Sequence, residues 1–177
     1  HLAEELVYNQ FDMTICQELS VEHGFLVPMN LCFPHEPNWA VKTVPIAVNV
    51  IQHPLPTAAR CYKLGQAIRQ AVDACERDLR IVILGTGGMS HQLNGTRFGH
   101  LNTVFDNDFL DKIENSPQEL PQLTHQKIME EAGAEAVELI MWLTMRGALS
   151  NKLTRIHRNY YAPMTTGMGL IVFEEND

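Results

Sequence analysis

The chain has few basic residues and no long hydrophobic run. Its 177 residues contain 13 Lys and Arg against 21 Asp and Glu, which gives a formal charge of -8 at pH 7. Nucleic-acid phosphates are bound by clustered Lys and Arg, and the basic residues here are scattered, so the composition argues against nucleic acid as a partner. Because no apolar run approaches the roughly 18 residues needed to span a bilayer, no membrane partner is expected either.

The chain also lacks a signal-peptide pattern and paired cysteines. Its first residues, HLAEELVYNQ, have neither the basic end nor the apolar centre of a secretory signal. Cys16, Cys32, Cys61 and Cys75 form no CxxC pair and lie in apolar segments, which favours free buried thiols over a disulfide framework or a zinc site. With 45% hydrophobic residues and no Ser, Gln or Gly tract, the composition predicts one globular, soluble and cytoplasmic domain.

Short apolar runs alternate with helical patterns along the chain. Strands are predicted at Phe11 to Cys16, Lys42 to Ile51, Leu79 to Leu84 and Gly167 to Glu174. Helices are predicted at Leu2 to Gln10, Thr57 to Glu76, Thr103 to Asn115 and Ala134 to Arg146, with a further start at Ser116. This order predicts the α/β class, as a three-layer α/β/α sandwich with a mixed central sheet.

A glycine-rich stretch, GTGGMSHQLNGTRFGHLN from Gly85 to Asn102, follows the predicted strand Leu79 to Leu84. Loops at the ends of such strands are common ligand sites in α/β proteins. A phosphate-binding loop is disfavoured because GK[ST] is missing and Ser90 stands where a dinucleotide fingerprint has its third glycine. His91 on this loop is a candidate acid/base residue, and the alternative is a histidine that only caps the loop through hydrogen bonds.

Two further polar residues stand in unusual places. Glu138 interrupts the run AVELIMWL on a helix side that is otherwise apolar. A carboxylate there must be paired, protonated or bound to a metal, and an ion pair with Arg146 or with an arginine elsewhere is the structural alternative. His23 lies in a polar turn before Gly24, where a lone histidine is usually structural.

Three segments together resemble a known family. EHGFLVP (Glu22 to Pro28), GTGGMSHQLNG (Gly85 to Gly95) and VELIMWLTMRGAL (Val137 to Leu149) are similar, in order and spacing, to catalytic β subunits of the protocatechuate 4,5-dioxygenase type. These are class III extradiol dioxygenases, and the group includes gallate dioxygenase. The resemblance covers essentially the whole chain. It implies an Fe(II) enzyme that opens the ring of a catecholic acid with O2.

The resemblance assigns the metal ligand in this chain to Glu138. In the family two histidines and one glutamate hold the iron in a facial triad. The two histidines precede the region that this chain matches, so residues 1–177 resemble the C-terminal two-thirds of one catalytic domain and are expected to bind iron weakly by themselves. Five other histidines are not expected to take the missing positions; they are His35, His53, His100, His125 and His157.

The resemblance also implies roles for four other residues. His91 matches the acid/base histidine, which takes phenolic protons and returns one for O–O cleavage. His23 matches a histidine that hydrogen-bonds the substrate hydroxyl or the oxygen species. Thr165 and Thr166 match the contacts to the ring carboxylate. Because protocatechuate enzymes carry Ser-Asn there, the Thr-Thr pair favours gallate, with protocatechuate and methylated gallates as alternatives.

Two other functions stay open at this point. One is a non-catalytic binding module of the same fold. The other is a zinc hydrolase with His91, His23 and Glu138 as ligands, which lacks the local HxxEH-like pair expected of such enzymes. For the dioxygenase, analogy implies a homodimer and a small α-type helical subunit or domain over the active site.

Overall fold

The computed structural model describes residues 1–33 and 38–176, so His35 lies outside the described residues. The helices are α1 (Leu2–Tyr8), α2 (His23–Cys32), α3 (Ala58–Asp73), α4 (Thr103–Asn115), α5 (His125–Ala132) and α6 (Leu139–Gly147). Two 3-10 helices, Pro117–Gln122 and Glu135–Glu138, precede α5 and α6, and two strands, β1 (Leu153–Tyr161) and β2 (Met168–Glu175), follow. Within the described part of the chain, no helix has the length and apolarity that crossing a membrane requires.

The helices that the sequence predicts by capping and apolar spacing are confirmed. The Thr57 hydroxyl accepts a hydrogen bond from the amide of Arg60 at 3.2 Å and opens α3. The Asn102 side chain accepts one from the amide of Phe105 at 3.0 Å and opens α4. These contacts satisfy backbone donors that have no partner within the helix.

The main core lies between α4, α5 and α6, and it includes one residue of the glycine-rich loop. Met89 of that loop is fully buried beside Phe109 and Trp142. A smaller core joins α1 to α3 through Leu6, Ala67 and Ile68. Met89 and Ser90, the two loop residues before His91, are therefore part of the protein interior, which limits how far they can move.

The sheet is smaller than the sequence predicts. β1 and β2 pair antiparallel, with Tyr160 opposite Gly169, and the register is irregular between Arg155 and His157. The α/β class is confirmed, and β2 coincides with the predicted strand from Gly167. The three-layer sandwich with a mixed central sheet is not formed by residues 1–33 and 38–176, whose sheet has two strands.

The predictions of strands at 11–16, 42–51 and 79–84 are wrong for this structure, because none of these segments forms a ladder with another strand. In segment 42–51 the side chains nevertheless alternate: Val48 and Val50 pack on the main core, while Ile51 is 80% exposed. In segment 79–84 Ile83 packs inward, whereas Ile81, Val82 and Leu84 are exposed. Alternation in segment 42–51 therefore indicated the inward side chains, but a strand also needs a hydrogen-bonding neighbour.

The cysteines are all free, as predicted, but only some are buried. Cys61 lies in the core, where burial raises the pKa of its thiol to about 11. Cys75 is half-buried, and Cys16 and Cys32 are exposed, so the prediction of burial is wrong for the last two. Cys16 is exposed because the segment that carries it does not pack as a strand.

Gly65 is where α3 meets α6 at close range. A Cβ at this position would overlap the carbonyl oxygen of Thr144 and lie 2.8 Å from the amide nitrogen of Ala148. Gly65→Ala should therefore destabilise the protein by about 1 to 3 kcal/mol, although helix propensity alone would favour alanine by about 1 kcal/mol. Denaturant unfolding measures the change. Gln66→Ala, at an exposed position on the same helix, is the control, and stabilisation by both variants would contradict the observed contact.

Candidate functional site

Two side chains at the start of α6 hydrogen-bond the peptide group between Gly87 and Gly88 of the glycine-rich loop, one at its amide and one at its carbonyl. Glu138 Oε2 accepts a hydrogen bond from the amide of Gly88 at 2.7 Å, and Trp142 Nε1 donates one to the carbonyl of Gly87 at 3.0 Å. Glu138 and Trp142 are four residues apart and so share a face at this helix start. Gly87 has a φ of +135°, and a Cβ there would lie 2.9 Å from the carbonyl oxygen of Glu138. Glycine at position 87 is therefore required by both backbone angle and space.

His91 is held in one orientation at the end of this loop. Its ring is 6% exposed, and Nδ1 lies 2.8 Å from the carbonyl oxygen of Met89. A carbonyl oxygen can only accept, so Nδ1 carries the hydrogen and Nε2 keeps the free lone pair of the neutral ring. The His91 amide donates to the carbonyl of Ala132 at 2.8 Å. The candidate acid/base atom is thus Nε2.

Thr165 and Thr166 lie beside the loop, as an active-site role requires. Thr166 forms an isolated antiparallel bridge with His91. A Cβ on Gly88 would come within 3.4 Å of the Thr166 methyl, and one on Gly99 within 3.7 Å of the Thr165 methyl. The Thr166 amide donates to the carbonyl of Pro163 at 3.2 Å. That amide is therefore already used inside the turn, which leaves the hydroxyl as the Thr166 group for an external ligand.

His23 is the first residue of α2 and is exposed, whereas the sequence indicated a turn at this position. Its neighbour Gly24 faces the loop, because a Cβ there would lie 3.9 Å from the Thr86 hydroxyl. The structure therefore brings the element that carries His23 to the glycine-rich loop. No hydrogen bond among the described contacts fixes the His23 ring.

The other described histidines lie outside this group of residues. His100 Nε2 is 2.8 Å from the carbonyl oxygen of Glu131, and His125 Nε2 is 2.9 Å from that of Pro56. His1, His53 and His157 are exposed, and His100 and His125 are half-buried. None of these five shares a described hydrogen bond with His91 or Glu138.

Asp106 is a buried residue of the site that the sequence analysis missed. Its side chain is fully buried, and Oδ1 accepts a hydrogen bond from the amide of Ser90 at 2.9 Å. Oδ2 accepts from the Ser90 hydroxyl at 2.6 Å and from the Tyr160 hydroxyl at 2.7 Å. The spacing of Asp106 with Phe109, Leu110 and Ile113 places a carboxylate on the apolar face of α4, the same kind of anomaly that singled out Glu138.

Tyr160 completes this network from β1. Burial of the phenol, together with the negative charge and hydrogen bond of Asp106, raises the pKa of Tyr160. The phenol therefore stays protonated at neutral pH and acts as a donor.

The suggested ion pair between Glu138 and Arg146 is not formed. Arg146 is buried, and its guanidinium donates to the carbonyls of Ile113 at 2.8 Å and Ser150 at 3.2 Å. Burial lowers the pKa of Arg146. Its donors are used at the far end of α6, so the half-buried Glu138 takes its one described hydrogen bond from Gly88 instead.

A complete metal site is not built by the described residues. Over residues 1–33 and 38–176, no group of three His, Cys, Asp or Glu side chains is placed to hold an ion. The zinc site of His91, His23 and Glu138 is therefore contradicted. Glu138 fits as one ligand, because Gly88 occupies Oε2 and a carboxylate has a second oxygen, but the facial triad needs two further ligands.

The known proteins that this chain resembles include ring-opening dioxygenases. The chain is 42% identical over 177 residues to gallate dioxygenase from Pseudomonas putida. The aligned region covers 100% of this chain and 52% of that protein. It is 28% identical over 134 residues to 2,3-dihydroxyphenylpropionate/2,3-dihydroxicinnamic acid 1,2-dioxygenase from Rhodococcus jostii. That aligned region covers 76% of this chain and 41% of that protein. The chain thus spans about half the length of these curated relatives or less. A family model described as the catalytic LigB subunit of aromatic ring-opening dioxygenase matches residues 1–172, and the chain belongs to that family.

Proposed function

We propose that the protein containing these residues is an Fe(II)-dependent extradiol dioxygenase that opens the ring of a hydroxylated aromatic acid, with gallate as the preferred substrate. The observation that carries the proposal is the meeting of His91, Glu138 and Thr166 around one glycine-rich loop. This arrangement occurs in a chain 42% identical to a gallate dioxygenase. Protocatechuate and methylated gallates are the alternative substrates within the same reaction class.

In this proposal His91 Nε2 moves the protons of the reaction. The hydrogen on Nδ1 is held by Met89, so Nε2 can take a phenolic proton as the substrate binds and return one later. A histidine is suited to both transfers because its protonation changes near neutral pH. The limited exposure of the ring keeps competing water away from it.

Substrate positioning is assigned to Thr165, Thr166 and His23. Because the Thr166 amide is bonded to Pro163 and the Gly167 amide to Ser90, the contacts to a ring carboxylate fall to the threonine hydroxyls. His23, at the exposed start of α2, would hydrogen-bond a substrate hydroxyl or the oxygen species.

Glu138 is the proposed iron ligand of this chain. Iron(II), when bound, supplies the O2 chemistry of ring opening. A metal cation would neutralise a carboxylate that otherwise stands at the start of an apolar helix with one amide as its described partner. The described residues provide one of the three protein ligands, so the proposal places the two histidines elsewhere in the full-length protein.

The remaining parts of the proposal concern the whole protein. We take residues 1–177 as the C-terminal two-thirds of a single catalytic domain with a three-layer sandwich. The alternating side chains of segment 42–51 support this, since they have the pattern of a strand that pairs with further strands. A cytoplasmic homodimer with a small α-type helical subunit or domain completes the proposal by family analogy.

The preference for gallate is tested by oxygen uptake. Gallate has one hydroxyl more than protocatechuate, and a site that hydrogen-bonds it should reject the analogue without it strongly, by up to about 10⁴-fold in kcat/KM. We expect full-length, iron-loaded enzyme to show a higher kcat/KM with gallate than with protocatechuate. Equal values, or a preference for protocatechuate, would refute the substrate and leave the reaction class standing.

The rival function is a binding module without catalysis. It predicts no oxygen uptake with gallate, protocatechuate or methylated gallates. Metal analysis of the purified full-length protein provides an independent test, because a dioxygenase should contain iron. A protein that contains no iron and consumes no oxygen with any of these acids would favour the binding module.

A further inference from the structure

Asp106 differs from His91, Glu138 and the two threonines, because its side chain is shielded from solvent and bonded only to Ser90 and Tyr160 among the described contacts. It lies in the first turn of α4, and its carboxylate is fully buried. Three donors converge on it, namely the amide and hydroxyl of Ser90 and the hydroxyl of Tyr160. A buried carboxylate is costly unless such donors replace its water. An apolar residue at this position would need no such donors.

The Asp106 carboxylate is linked to the His91 ring through the segment Met89-Ser90-His91. Ser90, which it binds through both amide and hydroxyl, separates Met89 from His91 in the chain. The Met89 carbonyl is the group that accepts from His91 Nδ1 at 2.8 Å. A shift of the Ser90 backbone would move this acceptor and the ring that depends on it. The network thus reaches His91 through one intervening residue.

The same network ties this loop to the turn that carries the threonines. The Met89 amide donates to the Gly167 carbonyl at 3.0 Å, and the Gly167 amide donates to the Ser90 carbonyl at 2.8 Å. A Cβ on Gly167 would overlap Asp106 Oδ2 and lie 3.0 Å from the Tyr160 hydroxyl. Because there is no room for a side chain here, the three groups have few alternative arrangements.

The helix start also depends on this contact. The Ser90 hydroxyl, while donating to Asp106, accepts a hydrogen bond from the Asn102 amide at 2.9 Å. Asn102 in turn caps α4 through Phe105. Asp106 therefore connects α4 to the glycine-rich loop through Ser90 and to β1 through Tyr160.

We propose that Asp106 is a positioning residue, which holds the Met89-Ser90-His91 backbone so that the Met89 carbonyl fixes the hydrogen on His91 Nδ1 and leaves Nε2 free. This inference rests on the proposed acid/base function of His91. Hydrogen bonds from outside the site can hold reacting groups within a fraction of an ångström of their working geometry. The alternative is that Asp106 contributes to stability alone.

The test uses Asp106→Asn in the full-length, iron-loaded protein. The amide keeps the size of the carboxylate but offers one acceptor oxygen in place of two, so a Ser90 donor loses its partner. We expect kcat to fall by about tenfold to a hundredfold, the scale of a small misplacement of a catalytic group, with KM changed by less than about threefold. Ile113→Val, a buried change on the same face of α4, is the control for lost stability.

A second readout follows His91 without any turnover. Long-range ¹H–¹⁵N spectra of the full-length protein with iron removed report which ring nitrogen carries hydrogen, and the His91 signals are those that vanish in His91→Phe. We expect the Nδ1-protonated form in the unmodified protein and a mixture of both forms in Asp106→Asn. Tyr160→Phe keeps both contacts to Ser90 and should keep the Nδ1-protonated form.

The outcomes separate this inference from the proposed function. An unchanged tautomer and unchanged kcat in Asp106→Asn, or losses no larger than those of Ile113→Val, would overturn the positioning role. A changed tautomer in a protein whose His91→Phe variant still turns over normally would support positioning and refute the acid/base function instead. A changed tautomer together with a reduced kcat supports both.

Discussion

Full-length enzyme that carries His91→Phe should retain its iron and lose turnover by about a hundredfold or more, the usual scale for an acid/base group. Phenylalanine keeps the aromatic bulk that fills this buried position but has no ring nitrogen, so neither the contact to Met89 nor proton transfer at Nε2 survives. Oxygen uptake with saturating gallate measures turnover. Elemental analysis of the same samples measures iron.

His157→Phe is the matched control for this experiment. His157 is exposed on β1 and lies outside the group of residues around the loop, so its replacement should leave turnover within about twofold, as is usual for surface changes. Nearly normal turnover in His91→Phe would return His91 to a structural role, in which its hydrogen bonds only shape the loop. Loss of iron together with turnover would indicate that His91 supports the metal site instead.

Replacement of Glu138 by Ala should remove iron and turnover together while most of the fold persists. The loss of one of three protein ligands lowers metal affinity, and the Gly88 amide also loses its acceptor at 2.7 Å. Iron content per folded chain is the primary measurement. Far-UV circular dichroism and thermal unfolding show how much of the effect belongs to the fold.

Two variants separate the ligand role of Glu138 from its contact with the loop. Glu138→Gln keeps an oxygen that can accept from Gly88 but has no negative charge, so iron should still be lost while stability changes little. Glu135→Ala removes a carboxylate of the same 3-10 helix that accepts from the Leu93 amide at 3.1 Å, and iron should be retained. Stoichiometric iron in both Glu138 variants would sink the assignment of this residue as a ligand.

The helices could be predicted because their causes are local. Apolar spacing and the side-chain caps Thr57 and Asn102 lie within a few residues of the helices that they define. α4 has the predicted bounds, and α3 ends three residues earlier than predicted. α2 was missed, since Pro28 lies inside it and the residues around His23 have the composition of a turn.

The strands were harder to predict, because a strand exists only with a partner. Segment 42–51 has the composition and alternation of a strand, and segment 79–84 has an apolar run of strand length, yet no ladder forms on them within the described residues. β1 was missed for the opposite reason. Its sequence, LTRIHRNYY, is polar and charged, and pairing with β2 makes it a strand.

The candidate site was partly visible in the sequence. His91 was found because it lies on a glycine-rich loop after a predicted strand, and Glu138 because it interrupts an apolar helix side. Asp106 interrupts the apolar face of α4 in the same way as Glu138. Their roles as catalytic residue and ligand stay predictions. The network of Ser90, Asp106 and Tyr160 could not be found, since it joins residues up to 70 positions apart in the chain.

By itself, the sequence determined the capped helices, the glycine-rich loop and the family, because each depends on residues close together in the chain or on similarity along it. Three features were decided only by the tertiary structure. The Met89 carbonyl accepts the hydrogen of His91 Nδ1, the Arg146 guanidinium donates to backbone carbonyls, and Asp106 is buried beneath the loop. The contacts of Arg146 and Asp106 depend on distances of about 3 Å between distant segments. The contact of His91 joins residues two positions apart, but it depends on the loop conformation that packing holds. Packing sets such distances, and no local pattern encodes them.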